Sequence, residues 1–292
     1  MSNILEVRHR TTYSYASPVR FGEHRLMFRP LAGHDLRVVD WDLTTNVPWH
    51  AHWIQDTFSN SVAIVRFHEP AAELTFDCRF SVEHYGVADQ ELPLEARAEK
   101  LPIELTPDEW IDLHGFLRPH TRDSIGSVAA WARDMLCAGN YDTRPVLQQM
   151  VDFMQREFAY QVREAEGTQE PHETLRLRSG TCRDYAWLMI EAARCLGLAA
   201  RFVSGYFYEP ALYGAAFAQG GSGSTHAWLN IYLPGAGWVS YDPTNRLTLG
   251  QEFIRVAIAR HPAQAAPLSG SWVGNPADYL GMDVKVDVRR IS

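Results

Sequence analysis

The chain has 292 residues, 46% of them apolar and 21% charged, which is the balance of a soluble globular protein with one large core or two ordinary ones. A net charge of −8 with no basic run speaks against nucleic acid or an anionic membrane surface as a partner, and no apolar run is long enough to cross a bilayer. The opening residues, MSNILEVRHRTTYSY, lack a basic start followed by an apolar stretch, so no secretory signal is expected and a cytoplasmic location is.

Residues 4–86 read mainly as strands. SNSVAIVRF is β-branched and follows turn-forming residues, and LTFDCRFSV alternates, with Leu74, Phe76, Cys78, Phe80 and Val82 on one face. ELPLEARAEKLPIELTPDEW brings three prolines and many charges, as a linker or wrapping segment would. The period then changes to that of helices. SIGSVAAWARDMLCAGN fits a helix closed by Gly139, and RPVLQQMVDFMQREFAY a second with Pro145 as its first residue and Val146, Met150, Phe153, Met154 and Phe158 as one stripe. A third runs from Cys182, with Tyr185, Leu188, Met189, Ala192, Ala193 and Leu196 on its inner face and Gly197 at its end. RFVSGYFYE, HAWLNIYL and GWVSY read as strands, and GMDVKVDVRRIS as a half-exposed one. The expected fold class is α+β: an N-terminal antiparallel β-sandwich over residues 1–90, a linker over 91–120 and an α+β domain over 121–292.

Four cysteines make no disulfide framework, and no CxxC pair suggests zinc or a redox dithiol. Cys78, Cys137 and Cys195 fall on strand or helix positions where a cysteine serves as a small buried hydrophobe. Cys182 differs, because it follows Ser-Gly-Thr at a helix's first turn. There the unpaired N–H groups and the positive end of the helix dipole favour thiolate over thiol, and Gly180 would let a substrate backbone approach. A cysteine nucleophile needs an imidazole, and the imidazole needs an acceptor on its other nitrogen. His226 begins a strand 44 residues after Cys182, and Asp242 ends the next strand 16 residues later. Two adjacent antiparallel strands would bring both to the same sheet end, facing the helix start.

GTCRDYAWLMIEAARCLGLAARFVSGY, THAWLNIYL and GWVSYDPTN resemble the three signature blocks of the transglutaminase-like superfamily, and TYSYASPVRFGEHRLMFRP with DTFSNSVAIVRF resembles the N-terminal β domain of bacterial transglutaminase-like cysteine peptidases. The resemblance covers nearly the whole chain and implies a papain-like (transglutaminase core) α+β domain at 121–292. It makes Cys182 the nucleophile, His226 the general acid/base and Asp242 the orienting residue. It also implies a peptide or protein substrate and favours hydrolysis, as a peptidase or amidase, over transamidation or deamidation of protein glutamine. The Gly-Arg-Asp-Tyr-like block of such proteins is here Ala259-Arg260-His261-Pro262, which retains Arg260 alone as a substrate-binding candidate.

Several residues keep two readings. Tyr160 is an oxyanion candidate beside the Cys182 N–H, or a core aromatic. Trp228 and Trp238 wall a cleft or pack the core. Asp184 answers the helix dipole rather than reacting. The glycine-rich stretch 211–225 is a lid or a surface loop. His50 and His52 share a strand face but lack a third metal ligand. The chemistry needs no cofactor or metal, and no EF-hand pattern is present. Two rivals remain: a peptide-binding module without catalysis, and a zinc site built from Cys182, His226 and Asp242. The oligomeric state is left open.

Overall fold

The computed structural model describes residues 3–85, 92–121, 126–161, 167–208, 223–245 and 253–291. Five strands open the chain: β1 (Asn3–Leu26), β2 (Leu36–Thr45), β3 (Trp49–Gln55), β4 (Ser61–Phe67) and β5 (Ala71–His84). They lie in the order β2-β5-β1-β4-β3, each pair antiparallel. The alternation in β5 holds, with Leu74, Phe76, Cys78, Phe80 and Val82 all buried.

The long strand β1 serves two arms of this sheet. Its first half pairs with β5 from Asn3↔His84 to Ser14↔Glu73, and its last residues pair with β4 from His24↔Val65 to Leu26↔Ala63. Phe76 on β5 meets Phe67 on β4 with ring centroids 5.8 Å apart, so the arms face each other across an apolar interior. The expected sandwich thus takes the form of one antiparallel sheet curled about β1, a half-barrel.

The helices follow: α1 (Pro107–Leu117), α2 (Ser127–Ala138) and α3 (Thr143–Glu157). Helix α1 lies inside the segment expected as a linker. It is started by a capping box in which Glu109 N–H donates to Thr106 Oγ1 at 3.2 Å and Thr106 N–H donates to Glu109 Oε2 at 2.8 Å, with Pro107 at the first position. Helix α3 begins two residues before Pro145, still within the first turn, where a proline removes no intrahelical bond.

Next come the short strand β6 (Ala159–Tyr160), helix α4 (Pro171–Leu177), the short strand β7 (Ser179–Gly180) and helix α5 (Cys182–Cys195), which is buried along almost its whole length. Strands β8 (Ala200–Tyr208), β9 (Gly223–Leu233), β10 (Gly237–Tyr241) and β11 (Phe253–Ala259) form an antiparallel sheet in the order β10-β9-β8-β11.

The last two strands, β12 (Leu268–Val273) and β13 (Tyr279–Arg290), do not join that sheet. Both return to β1, with Arg20↔Val273 to Leu26↔Leu268 and Leu5↔Arg290 to Tyr15↔Tyr279. Residues that the sequence grouped with 121–292 therefore complete the first sheet, and the two halves interleave. β13 is half-exposed as expected, with Val286 and Val288 buried and Met282 and Val284 open. One apolar core runs from Leu5 and Phe76 through Trp187 to Leu229. No helix among the described residues is long and apolar enough to cross a membrane.

Candidate active site

Helix α5 starts from a short parallel bridge. β6 pairs with β7, Ala159 N–H donates to Arg178 O, and Gln161 N–H donates to Gly180 O. Thr181 precedes the first turn. Its N–H and its hydroxyl both donate to Asp184 Oδ2 at 2.8 and 2.9 Å, and Gln169 N–H donates to Asp184 Oδ1 at 2.7 Å. Asp184 is thus a buried capping residue, as its position predicts. Gly180 serves this cap: a Cβ there would lie 2.9 Å from Asp184 Cβ. Its place in the site is to let Asp184 close over the helix start, which differs from the substrate contact expected of it.

His226 is reached through the β8–β9 pair, where it stands opposite Gly205. Trp228 stacks against its ring with centroids 6.1 Å apart and an interplanar angle of 21°, while Phe207 and Phe253 close it in at 5.6 and 5.9 Å. Trp228 is itself buried, so it holds the imidazole rather than meeting a substrate. Asp242, just past β10, lies with Oδ2 2.9 Å from His226 Nε2. The same oxygen accepts from Asn245 Nδ2 at 3.0 Å, and Oδ1 accepts from Thr244 N–H at 2.8 Å. This carboxylate is 1% exposed and held by three donors, so it cannot turn away from the ring.

The His226 ring also hydrogen-bonds the Cys182 sulfur, which accepts a further hydrogen bond from Ala227 N–H. Burial raises the Cys182 thiol, but the hydrogen bond and charge of His226, together with the Ala227 N–H, outweigh it. The thiol therefore falls below its ordinary value, although the Asp242 charge acts against this. At His226 burial opposes the charged form, yet the charge and hydrogen bond of Asp242, and then Cys182, lift its pKa to about 10. Both shifts favour thiolate beside imidazolium. The imidazole contacts both sulfur and carboxylate, so the three groups lie in series, and among the described residues no group of three such side chains converges as metal ligands must.

Tyr160 has an exposed ring whose hydroxyl is tucked against Cys182, within reach of both its sulfur and its backbone N–H. Burial, then the charge and hydrogen bond of Cys182, push the phenol up to about 12, against the Cys182 N–H and Arg183.

Arg260 is not brought to this site. It follows the end of β11 remote from Phe253, about 20 Å along the strand at 3.3 Å per residue. There its Nη1 lies 2.9 Å from His120 Nδ1 and its carbonyl accepts from Arg194 Nη2 at 2.8 Å. Trp238 packs under the Arg201 guanidinium, 4.0 Å from it, and against Phe116. His50 bonds to His68 at 2.9 Å on the half-barrel surface. Most of the stretch expected as a lid, 211–222, lies outside the described residues, and its last three residues begin β9. Cys78 is buried as expected and Cys195 half-buried, but Cys137 is exposed, on the side of α2 away from buried Val128, Trp131 and Ala132.

Three contributors were not singled out from sequence: Asn245, the Ala227 N–H and Phe253. Asn245 had a signal, being three residues past the aspartate in Asp-Pro-Thr-Asn. The other two depend on strand register and left none.

Two family models match the chain: the bacterial transglutaminase-like N-terminal region over residues 5–83 and the transglutaminase-like superfamily core over 129–243. The chain is 28% identical to an uncharacterized protein of Mycobacterium tuberculosis over 97% of this chain and 91% of that one. A shorter match, 32% identical over 38% of this chain and 16% of the other, is to the protein-glutamine gamma-glutamyltransferase of Pseudomonas aeruginosa. A crystal structure from Cytophaga hutchinsonii, described as a candidate cysteine protease, superposes with a TM-score of 0.73 over 100% of this chain and 92% of that one at 17% identity, which establishes the shared fold. The core model spans Cys182, His226 and Asp242, so the chain carries a transglutaminase-like superfamily core over residues 129–243 behind a bacterial transglutaminase-like N-terminal region.

Proposed function

We propose that the protein is a cysteine-dependent acyl-transfer enzyme that works on peptide or carboxamide bonds through a thioester on Cys182, with water as the usual acceptor. The observation that carries this reading is the buried His226 ring held between Asp242 Oδ2, at 2.9 Å, and the Cys182 sulfur.

The Cys182 thiolate attacks the substrate carbonyl carbon. The oxygen that becomes anionic is received by the Cys182 N–H, the first N–H of α5. In the free protein that N–H is occupied by the Tyr160 hydroxyl. An incoming carbonyl oxygen replaces Tyr160 as its acceptor, and the freed O–H turns to donate to the same oxyanion. Collapse of the tetrahedral adduct expels the amine, which takes its proton from His226, and leaves the acyl-thioester. His226, now neutral, removes a proton from water as it attacks the thioester. The acid departs and the thiolate–imidazolium pair is restored.

A second reading keeps every residue and changes the acceptor. A primary amine in place of water would make an amide, and the match to a protein-glutamine gamma-glutamyltransferase favours a glutamine carboxamide as that donor. One incubation separates the two: a glutamine-containing peptide with a labelled primary amine, followed by mass. Deamidated or cleaved peptide marks hydrolysis, and an amine adduct marks transfer. Peptide libraries untouched by the protein, or changed equally by a Cys182→Ala variant, would remove both readings in favour of a binding module.

A further inference from the structure

The edge strand of the core sheet, β11, is finished by the half-barrel. Its pairing with β8 is interrupted by a bulge between Arg255 and Ala257, and no strand flanks its other side among the described residues. An open edge leaves backbone donors and acceptors to be satisfied. Asn60, fully buried after β3, supplies one rung of a ladder with its carboxamide. Ile258 N–H donates to Asn60 Oδ1 at 2.8 Å, and Asn60 Nδ2 donates to Ile258 O at 2.7 Å. Asp56 fixes that carboxamide from behind, accepting from Nδ2 at 2.8 Å. Farther along, Leu31 N–H donates to Arg255 O at 2.9 Å, and the Arg255 guanidinium meets both oxygens of Asp35 at 2.6 Å. His84 Nε2 lies 3.3 Å from Phe253 O.

All of these groups belong to the half-barrel, and they fix the strand that ends in Phe253. The Phe253 ring packs on His226 at 5.9 Å, on Trp228 at 5.1 Å and on Phe207 at 4.8 Å. It closes one side of the imidazole that must stay aligned between a sulfur and a carboxylate. We propose that the half-barrel is a working part of the active site: Asn60 and Asp35 are positioning residues that hold β11, and β11 holds the His226 ring in line. This rests on the acid/base reading of His226 given above. Geometry of this kind is demanding, since a misplacement of about 1 Å can cost about 10²-fold in rate.

The test is the pH profile of Cys182 alkylation by iodoacetamide, read by peptide mass in the full chain, for wild type, Asn60→Ala and Asp77→Asn. Asp77 binds Arg8 and Arg10 on the outer face of the half-barrel, so its variant weakens the same half without touching β11. Both variants are expected to melt earlier than wild type. Only Asn60→Ala is expected to shift the profile to higher pH, with about a tenfold lower rate at pH 6 for each unit by which the thiol pKa rises. Superposed wild-type and Asn60→Ala profiles, or an equal shift in Asp77→Asn, would overturn the positioning role and leave the Cys182–His226 pair standing. A wild type that is unreactive at pH 6 would instead remove the pair itself, and this inference with it. Should Asn60→Ala fail to fold, Asp35→Asn keeps the side-chain size while weakening the Arg255 contact, and it answers the same question by the same shift.

Discussion

Cys182 and Cys195 are the first and last residues of the same helix, about 20 Å apart at 1.5 Å per residue. Cys182 is buried and Cys195 half-buried, and shielding from water by itself pushes a thiol up. At Cys195 nothing opposes it strongly: burial and then the charge of Glu191, one turn back, raise the thiol to about 11 despite Arg133. At Cys182 burial is the larger influence as well, yet an imidazole and a backbone N–H reverse the outcome. Burial is therefore not what separates a raised thiol from a depressed one in this molecule. The separation lies in what faces the sulfur: the N–H end of the helix with a histidine at one terminus, the carbonyl end with a carboxylate at the other.

The hardest test of this contrast is to remove the imidazole. His226→Ala should lower Cys182 alkylation at pH 6 by a factor on the order of 10², because a thiol of ordinary pKa, about 8.5, is roughly 0.3% ionised there. Cys182 would then behave like Cys195. Removing the orienting carboxylate acts on the other side of the pair. The raised His226 pKa keeps the imidazolium present up to about pH 10 and is due chiefly to Asp242. Asp242→Asn removes the largest influence that raises it, so the alkaline limb of kcat/KM should move down from about 10 towards the ordinary imidazole value of about 6.5. The two groups act on stability with opposite pH dependence. The depressed Cys182 thiol contributes stability that is fully present above its unfolded pKa and is lost as pH falls through its folded pKa. His226 contributes below its unfolded pKa and loses its contribution as pH rises through about 10.

At the opposite end of α5, Glu191→Gln leaves Arg194 as an uncompensated charge. The pair is 2.8 Å apart with both side chains 0% exposed, and Glu191 Oε2 also accepts the His120 and Thr121 N–H groups. Loss of about 3–5 kcal/mol is expected by urea unfolding. Tyr160→Phe should cost about 10²-fold in kcat with KM nearly unchanged if its hydroxyl serves the oxyanion, and nothing if Tyr160 only packs. The smallest expected effect returns to Cys195: the Glu191→Gln variant that still folds should alkylate there somewhat faster, at a lower pH, as the thiol comes down from about 11.

Much of this site was legible in one dimension because its parts are carried by local patterns. A helix with an apolar stripe starting at Cys182, a strand starting near His226 and a strand ending before Asp242 follow from period and turn residues alone. Helix α1 was legible too, in Thr106-Pro107-Asp108-Glu109, but its three flanking and internal prolines made the segment read as linker. What pairing and tertiary contact decide left no such trace. Arg260 sits one residue past β11 in sequence, yet the direction of that strand carries it away from the cysteine. Asn60 reads as a turn residue between two strands, and only the fold gives it Ile258 as a partner. The return of β12 and β13 to β1 is of the same kind, since register across more than two hundred residues is set by shape and not by spacing.

That return has a consequence for how the protein comes into being. The rung Leu5↔Arg290 joins residues 285 positions apart, so β1 is made long before β13. While the chain is emerging, β1 has β4 and β5 beside it but lacks the strands that flank its other side, and its edge is open to mispairing. The half-barrel is therefore completed only after the helices and the core sheet have been made. Contacts of such high sequence separation fold slowly. A nascent chain halted before β12 would hold Cys182, His226 and Asp242 on a core whose supporting half is still unfinished, so reactivity at Cys182 should ripen late, with closure of β1.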